Sequence, residues 1–136
     1  MSLKKITNFK KTFLINYYIE IKKYLGPHGS HIFYELIEAI KNNNYLTIII
    51  LSATLTDVIK NEKTDMINSL SGIEINFIFS SYEAIWLRQT RNSIVHYEKP
   101  IDGLLGNKED NKILEEYSVK TITIVSKIIN EILKLK

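Results

Sequence analysis

Helical spacing of apolar residues is the feature that most restricts how this chain can fold. In the last segment the inward positions are Leu114, Tyr117, Thr121, Ile124, Ile128, Ile132 and Leu135. From Leu3 to Tyr24 the same steps of three and four join Ile6, Phe9, Phe13, Tyr17, Ile21 and Tyr24. Such steps place side chains on one face of a helix. The spacing therefore predicts an amphipathic helix at each end of the chain.

Between these ends the sequence predicts two further helices. Gly26-Pro27 should end the first helix, and Ser30 can cap a second, shorter one that ends at Asn42-Asn43-Asn44. The segment from Tyr45 to about Lys60 holds an apolar run that would also fit a strand, but its length and spacing favour a helix. Because it is apolar nearly all round, we expect it in the middle of the domain.

The part from 61 to 80 is the least regular. Asp65 to Leu70 fits one or two helical turns, and Ser71-Gly72 should interrupt them. Ile73, Ile75, Phe77 and Phe79 then alternate as in a strand. We expect an ordered connector here, followed by a helix that Ser80 or Ser81 caps and that continues to about Tyr97.

These elements predict an all-α fold, a four- to five-helix antiparallel bundle in which the second helix is a small appendage to a four-helix core. Its 136 residues suit a single domain over 1–136. The loop at 98–108, with Pro100, Gly103 and Gly106, separates the last two helices.

Composition restricts the surroundings and the chemistry. With no cysteine, disulfides and cysteine-ligated metals are excluded. No apolar run is long enough for a membrane span, and the N-terminus lacks the apolar block of a signal peptide, so we expect a soluble, cytoplasmic protein without a cofactor. The net charge of +3 permits a polyanionic partner. A coding sequence rich in A and T, which favours Lys, Ile and Asn, explains this charge equally well.

The segment 85–97 concentrates unusual residues. It contains the only Trp and both arginines of a chain whose other strongly basic residues are all lysine. Arg88, Asn92 and His96 follow i, i+4, i+8 spacing, and Arg91 lies beside Asn92. A guanidinium pairs bidentately with phosphate and a histidine titrates near neutral pH, so these residues predict a phosphate site.

Each residue of this segment also has a structural alternative. His96 could stabilise the negative end of a helix, Arg91 could pair with Asp57, and Asn92 could be an ordinary surface residue. Trp86 and the tyrosines fit core or interface positions better than base-stacking surfaces. His28 and His31 are too few for a zinc site, and we expect no metal.

The residues from Arg91 to His96 resemble the Arg-polar-x3-His motif of the HEPN superfamily, a family of small helical bundles. The order of helices from about residue 40 is similar as well, and Asp57 stands where the central helix of that family often carries an acid. Members with an intact motif are commonly metal-independent endoribonucleases that act as homodimers, often as toxins paired with an antitoxin. Others are non-catalytic modules that bind RNA or a protein partner. Tyr97 follows His96 directly, whereas one toxin branch has Tyr one position later, where this chain has Glu98.

The resemblance implies RNA as substrate, with Arg91, Asn92 and His96 as catalytic residues and Arg88, Asp57 and Tyr97 in supporting roles. RNA cleavage without a metal needs a base for the 2′-hydroxyl, an acid for the leaving 5′-oxygen and positive charge at the phosphorane. One chain offers one such histidine. A homodimer would add the second across a two-fold axis. Asn92 would orient His96 or bind phosphate, and Arg88 would hold the flanking backbone.

Overall fold

The computed structural model describes Thr12 and residues 14–135, and this part of the chain contains helices and loops but no strand. α1 is helical over 14–21 and continues as a 3-10 turn, Lys22–Tyr24. Then follow α2 (Pro27–Lys41), α3 (Tyr45–Asn61), α4 (Asp65–Asn68), α5 (Gly72–Phe79), α6 (Tyr82–Val95) and α7 (Asp110–Lys134). The predicted all-α fold is confirmed. The predictions for Leu3, Ile6, Phe9 and Phe13 lie outside the described residues.

α3 is the central helix, as its composition predicts. No residue from Ile48 to Lys60 is exposed, and the helix packs against α2, α5, α6 and α7. Its fully buried side chains include Ile49, Ala53 and Leu55. Burial of these apolar surfaces drives the assembly of the bundle, since each buried aliphatic side chain contributes about 1.5–3 kcal/mol.

α2 is an integral part of the core, and the prediction of a small appendage is wrong. Its most extensive neighbour is α3, and it buries Phe33, Leu36 and Ile40 completely. The helix also begins earlier than predicted, because Gly26 is its N-cap and Pro27 its first residue, so Ser30 lies inside it. Proline suits the first turn of a helix, where its missing N–H costs no hydrogen bond.

α5 corrects the strand-like interpretation of residues 73–79. Ser71 Oγ accepts a hydrogen bond from the Glu74 amide at 3.1 Å, and Glu74 Oε1 accepts one from the Ser71 amide at 2.9 Å. This reciprocal capping box satisfies two backbone donors and starts a helix. Ile73 and Phe77, one turn apart, are exposed, whereas Ile78 and Phe79 are buried.

α7 follows the predicted apolar face. Thr121, Ile124, Ile128 and Ile132 are buried, and Leu135 is exposed at the end of the helix. No helix within residues 14–135 combines the length and the apolar character needed to cross a membrane.

Candidate active site

The C-terminal end of α6 carries the motif residues. Ser81 starts the helix by accepting a hydrogen bond from the Ala84 amide at 3.1 Å, which confirms one of the two predicted caps. The last helical residue is Val95, and His96 is the C-cap, with its amide donating to the Asn92 carbonyl at 2.9 Å. The helix ends at His96, so the His96 side chain lies where the following loop begins.

Arg91 is held by two neighbours. Its Nη1 donates to Asp57 Oδ2 at 2.9 Å, and its Nε donates to Asn92 Oδ1 at 3.1 Å. The Arg91 side chain is 18% exposed and that of Asp57 34% exposed, so the pair is shielded from bulk water without being removed from it. The sequence predicts that Asp57 pairs with Arg91 or His96, and the structure confirms the pairing with Arg91. A carboxylate on the central helix needs such a cation, because burying it alone would be costly.

Arg88 has a different position from the one that the i, i+4, i+8 spacing predicts. Its Nη1 donates to the Phe79 carbonyl at 2.8 Å and so ties the end of α5 to α6. A carbonyl in the last turn of a helix has no partner within the helix, and a guanidinium satisfies it well. The Arg88 side chain is therefore occupied by a structural hydrogen bond. Of the three residues with i, i+4, i+8 spacing, only Asn92 and His96 are left for the candidate site.

Asn92 and His96 line a cleft of about 620 Å³ between the end of α6, the following loop and α7. We call it the His96 cleft; its other lining residues are Ser93, Glu98, Lys99, Pro100, Ile101, Asp102 and Tyr117. The volume lies in the range of small-molecule sites, about 300–1,000 Å³. His96 is exposed, and its ring has no hydrogen bond or ion pair with any described residue. The ring is therefore available to a ligand in the cleft.

One predicted catalytic residue, Arg91, and the three predicted supporting residues lie outside the cleft lining. Arg88, Arg91 and Asp57 do not line it, and Tyr97 is 72% exposed beside it. Arg91 reaches the cleft only through its bond to Asn92. The sequence did not predict the loop residues Glu98, Lys99 and Asp102 as site residues, and it did not predict Tyr117 because the helical spacing of that residue indicates the core face of α7.

The loop that forms one wall of the cleft has a defined shape. Asp110, the first residue of α7, accepts hydrogen bonds from the amides of Leu105, Gly106 and Asn107 at 3.1, 2.7 and 3.0 Å. Gly103 has a φ of +95°, and a Cβ there would lie 2.9 Å from Leu114 Cδ2. Glycine is therefore required for both the backbone conformation and the close approach to α7.

A second histidine, His28, forms a structural contact with Glu62, the C-cap of α3. Its Nδ1 lies 2.7 Å from Glu62 Oε2, and Glu62 also accepts hydrogen bonds from the amides of His28 and Gly29 at 3.1 and 3.0 Å. Partial burial by itself would raise the pKa of Glu62, but the bonds from the Gly29 amide and from His28 outweigh it and lower the pKa. Glu62 thus caps the N-terminus of α2 from the end of α3.

The two N-terminal histidines have separate carboxylate partners. His31 has its own partner, Glu35, one turn along α2 at 3.5 Å. Among the described residues, no three His, Asp or Glu side chains come together in a way that could hold a metal ion.

Comparisons of the chain with protein-family models, with curated proteins and with solved structures find no match. The HEPN resemblance of the segment from Arg91 to His96 therefore stays a prediction from those residues.

Proposed function

We propose that this protein is a metal-independent endoribonuclease of the HEPN type that acts as a homodimer. The observation that carries the proposal is the state of His96, whose ring faces a cleft without a side-chain partner while the neighbouring Arg91 is fixed by Asp57. An unpartnered imidazole can exchange protons with a substrate, whereas a fixed guanidinium presents its charge at a constant position.

In the proposed reaction the 2′-oxygen of a ribose attacks the adjacent phosphorus. A base removes the 2′-hydroxyl proton, the bond to the 5′-oxygen breaks, and an acid returns a proton to that oxygen. The products are a 2′,3′-cyclic phosphate and a 5′-hydroxyl, so no metal or redox partner is needed. His96 supplies proton transfer, the Asn92 amide supports the phosphate, and Arg91 offsets the charge on the phosphorane.

Acid and base are two tasks, and each chain contributes one His96. An isologous contact of two copies brings identical residues together at the two-fold axis, which completes the pair. Exposed apolar side chains beside the His96 cleft suit this contact: Val95 and Tyr97 flank His96, and Leu104 and Leu105 lie in the following loop. Tyr97 is then an interface residue.

The first experiment asks whether the protein cleaves RNA without metal. Purified protein is incubated with mixed RNAs in EDTA, and the fragments are examined for 2′,3′-cyclic phosphate ends. We expect such ends. Intact RNA, or fragments with other ends, would refute the proposed mechanism.

The second experiment tests the interface by light scattering, for which the chain mass of 15.8 kDa sets the monomer value. Val95→Glu combined with Tyr97→Glu should convert the dimer to monomer and abolish cleavage. The control is Ile73→Glu combined with Phe77→Glu, which changes exposed apolar residues on α5 instead. A wild-type monomer, or dissociation only in the control, contradicts the shared site at His96.

One observation favours a second function, a non-catalytic bundle that binds a protein partner. Ile73, Phe77 and Tyr82 are 84%, 72% and 92% exposed near the start of α6, and large exposed apolar side chains in one region are typical of interaction surfaces. A protein antitoxin is one partner that the HEPN resemblance suggests. Absence of RNA cleavage in the EDTA experiment would favour this function over the first.

A further inference from the structure

Tyr117 gives the His96 cleft a fixed aromatic surface. It is the one aromatic residue among those that line the cleft in the described part of the chain, and it is partly buried. Trp86 packs against it nearly perpendicular, with ring centroids 5.8 Å apart, and Lys120 Nζ lies 3.9 Å from the Trp86 centroid. The Trp86 contact restrains the Tyr117 ring, and a restrained ring is a good stacking surface because less entropy is lost on binding.

The loop adds an apolar surface to the cleft. Pro100 and Ile101 line it from the loop, whereas Tyr117 lines it from α7. The bonds of Asp110 to three loop amides and the close packing of Gly103 on Leu114 hold the loop in its position. The protein's own contacts therefore define the cleft, which has apolar surface on two elements.

The charges of the cleft favour hydrogen-bond donors over a phosphate in its interior. Two carboxylates, Glu98 and Asp102, line it together with a single lysine, Lys99. Carboxylates repel a phosphate but accept strongly from N–H groups. Asn92 Oδ1 accepts from Arg91, so the N–H groups of the Asn92 amide are the part of this side chain left for a ligand.

We infer that the His96 cleft binds the unpaired base of the nucleotide whose 2′-hydroxyl reacts, and that it prefers guanine; this inference rests on the proposed function. Tyr117 stacks on the base, and the Asp102 carboxylate accepts from its edge. Base and 2′-oxygen belong to the same ribose, so a base seated in the cleft carries its own 2′-hydroxyl toward His96. Cleavage should follow guanosine.

Guanine is preferred because of its pattern of donors. Its N1–H and N2–H₂ lie side by side and match the two oxygens of one carboxylate. Uracil offers a single N–H between two carbonyls, while adenine and cytosine place a ring-nitrogen acceptor beside their amino group, so each leaves one carboxylate oxygen facing an acceptor. A well-placed bidentate contact discriminates between bases by roughly tenfold or more. The base must be unpaired, since pairing occupies this edge.

The inference is tested by calorimetric titration of the wild-type protein with 3′-GMP, 3′-AMP, 3′-CMP and 3′-UMP, independently of cleavage. We expect 3′-GMP to bind about tenfold more tightly than 3′-UMP. Asp102→Asn should remove this preference, whereas Glu116→Gln, which changes an exposed carboxylate of α7 outside the cleft lining, should keep it. Tyr117→Leu should weaken all four nucleotides by about tenfold, since base stacking on an aromatic ring is lost. Tyr117→Phe should bind nearly as wild type.

The control for Tyr117 is Tyr82→Leu, which changes a tyrosine that is 92% exposed and does not line the His96 cleft. It should leave nucleotide binding unchanged. Equal affinity for the four nucleotides, or no binding at millimolar concentration, overturns the inference even if RNA is cleaved. Guanine-selective binding that depends on Asp102 supports it even if RNA stays intact, in which case only the proposed function fails.

Discussion

Two carboxylates near the C-terminal end of α3, Glu62 and Asp57, have different partners, and only one of them bonds to a histidine. Glu62, the C-cap of α3, bonds to the His28 ring and to two amides of α2. Asp57, in the last turns of α3, bonds to Arg91 of α6, and the His96 ring that follows α6 has no partner among the described residues. The comparison teaches that a histidine bonded to a carboxylate has a structural role, whereas a histidine without such a partner is available to a ligand.

Exposure does not separate the two histidines. The His28 side chain is 79% exposed although its Nδ1 contacts Glu62, and His96 is exposed as well. Their surroundings differ instead. His28 joins the start of α2 to the end of α3, whereas His96 lies at a cleft whose wall comes from a separate loop. A search by exposure alone would treat both as equivalent sites.

The largest expected effect comes from comparing His96→Ala with His28→Ala. If His96 transfers protons, its removal should lower RNA cleavage by about 10²- to 10⁴-fold and leave helical content and mass in solution unchanged. His28→Ala should leave cleavage unchanged. Cleavage rates, circular dichroism and light scattering give the answer. Equal cleavage by both variants, or unfolding of His96→Ala, would make His96 a structural residue like His28.

A smaller effect is expected for changes to Arg91 and to its carboxylate partner Asp57. Arg91→Ala should lower kcat by about tenfold to a hundredfold, since charge-assisted bonds contribute roughly 1.5–3 kcal/mol. Arg91→Lys should rescue little, because an ammonium cannot bond to Asp57 and a phosphate in the geometry of a guanidinium. Asp57→Asn should lower kcat with little change in KM. If Asp57→Asn lowers only thermal stability, Asp57 has a structural role like that of Glu62.

Sequence periodicity predicts the parts of the fold that depend on one face being apolar. α3 and α7 are long, so many positions repeat the pattern and the central place of α3 follows from it. α5 has eight residues and is apolar on most sides, so alternation at four positions resembled a strand. Ser71 and Glu74, spaced as in a capping box, were the local signal for a helix.

Prediction of the site succeeds for contacts within one helix turn and for a charge that requires a partner. Asn92 and His96 share a cleft, and Asp57 meets Arg91, as the sequence predicts. Arg88 differs because its partner is a backbone carbonyl, and no side-chain pattern encodes such an acceptor. Tyr117 joins the cleft from another helix, and helical spacing cannot distinguish a core position from a cleft wall.

The smallest expected effect concerns Glu62 and the pH dependence of its contribution to stability. Glu62→Gln removes a charge that accepts from the amides of His28 and Gly29, and it should destabilise the protein by about 1–2 kcal/mol at neutral pH. RNA cleavage by the folded variant should be unchanged, since Glu62 lies away from the His96 cleft.

Acid titration of this variant tests the physical cause. Because folding lowers the pKa of Glu62 below its ordinary value of 4.5, the stabilisation is fully present above that pH and is lost as pH falls through the lowered pKa. Denaturant unfolding of wild type and Glu62→Gln should therefore differ at neutral pH and converge in acid, where wild-type Glu62 is also neutral. If the difference in unfolding free energy between wild type and Glu62→Gln stays constant below pH 4.5, Glu62 stabilises the protein through packing and not through its negative charge, and it then differs from Asp57, which pairs with Arg91 as an anion.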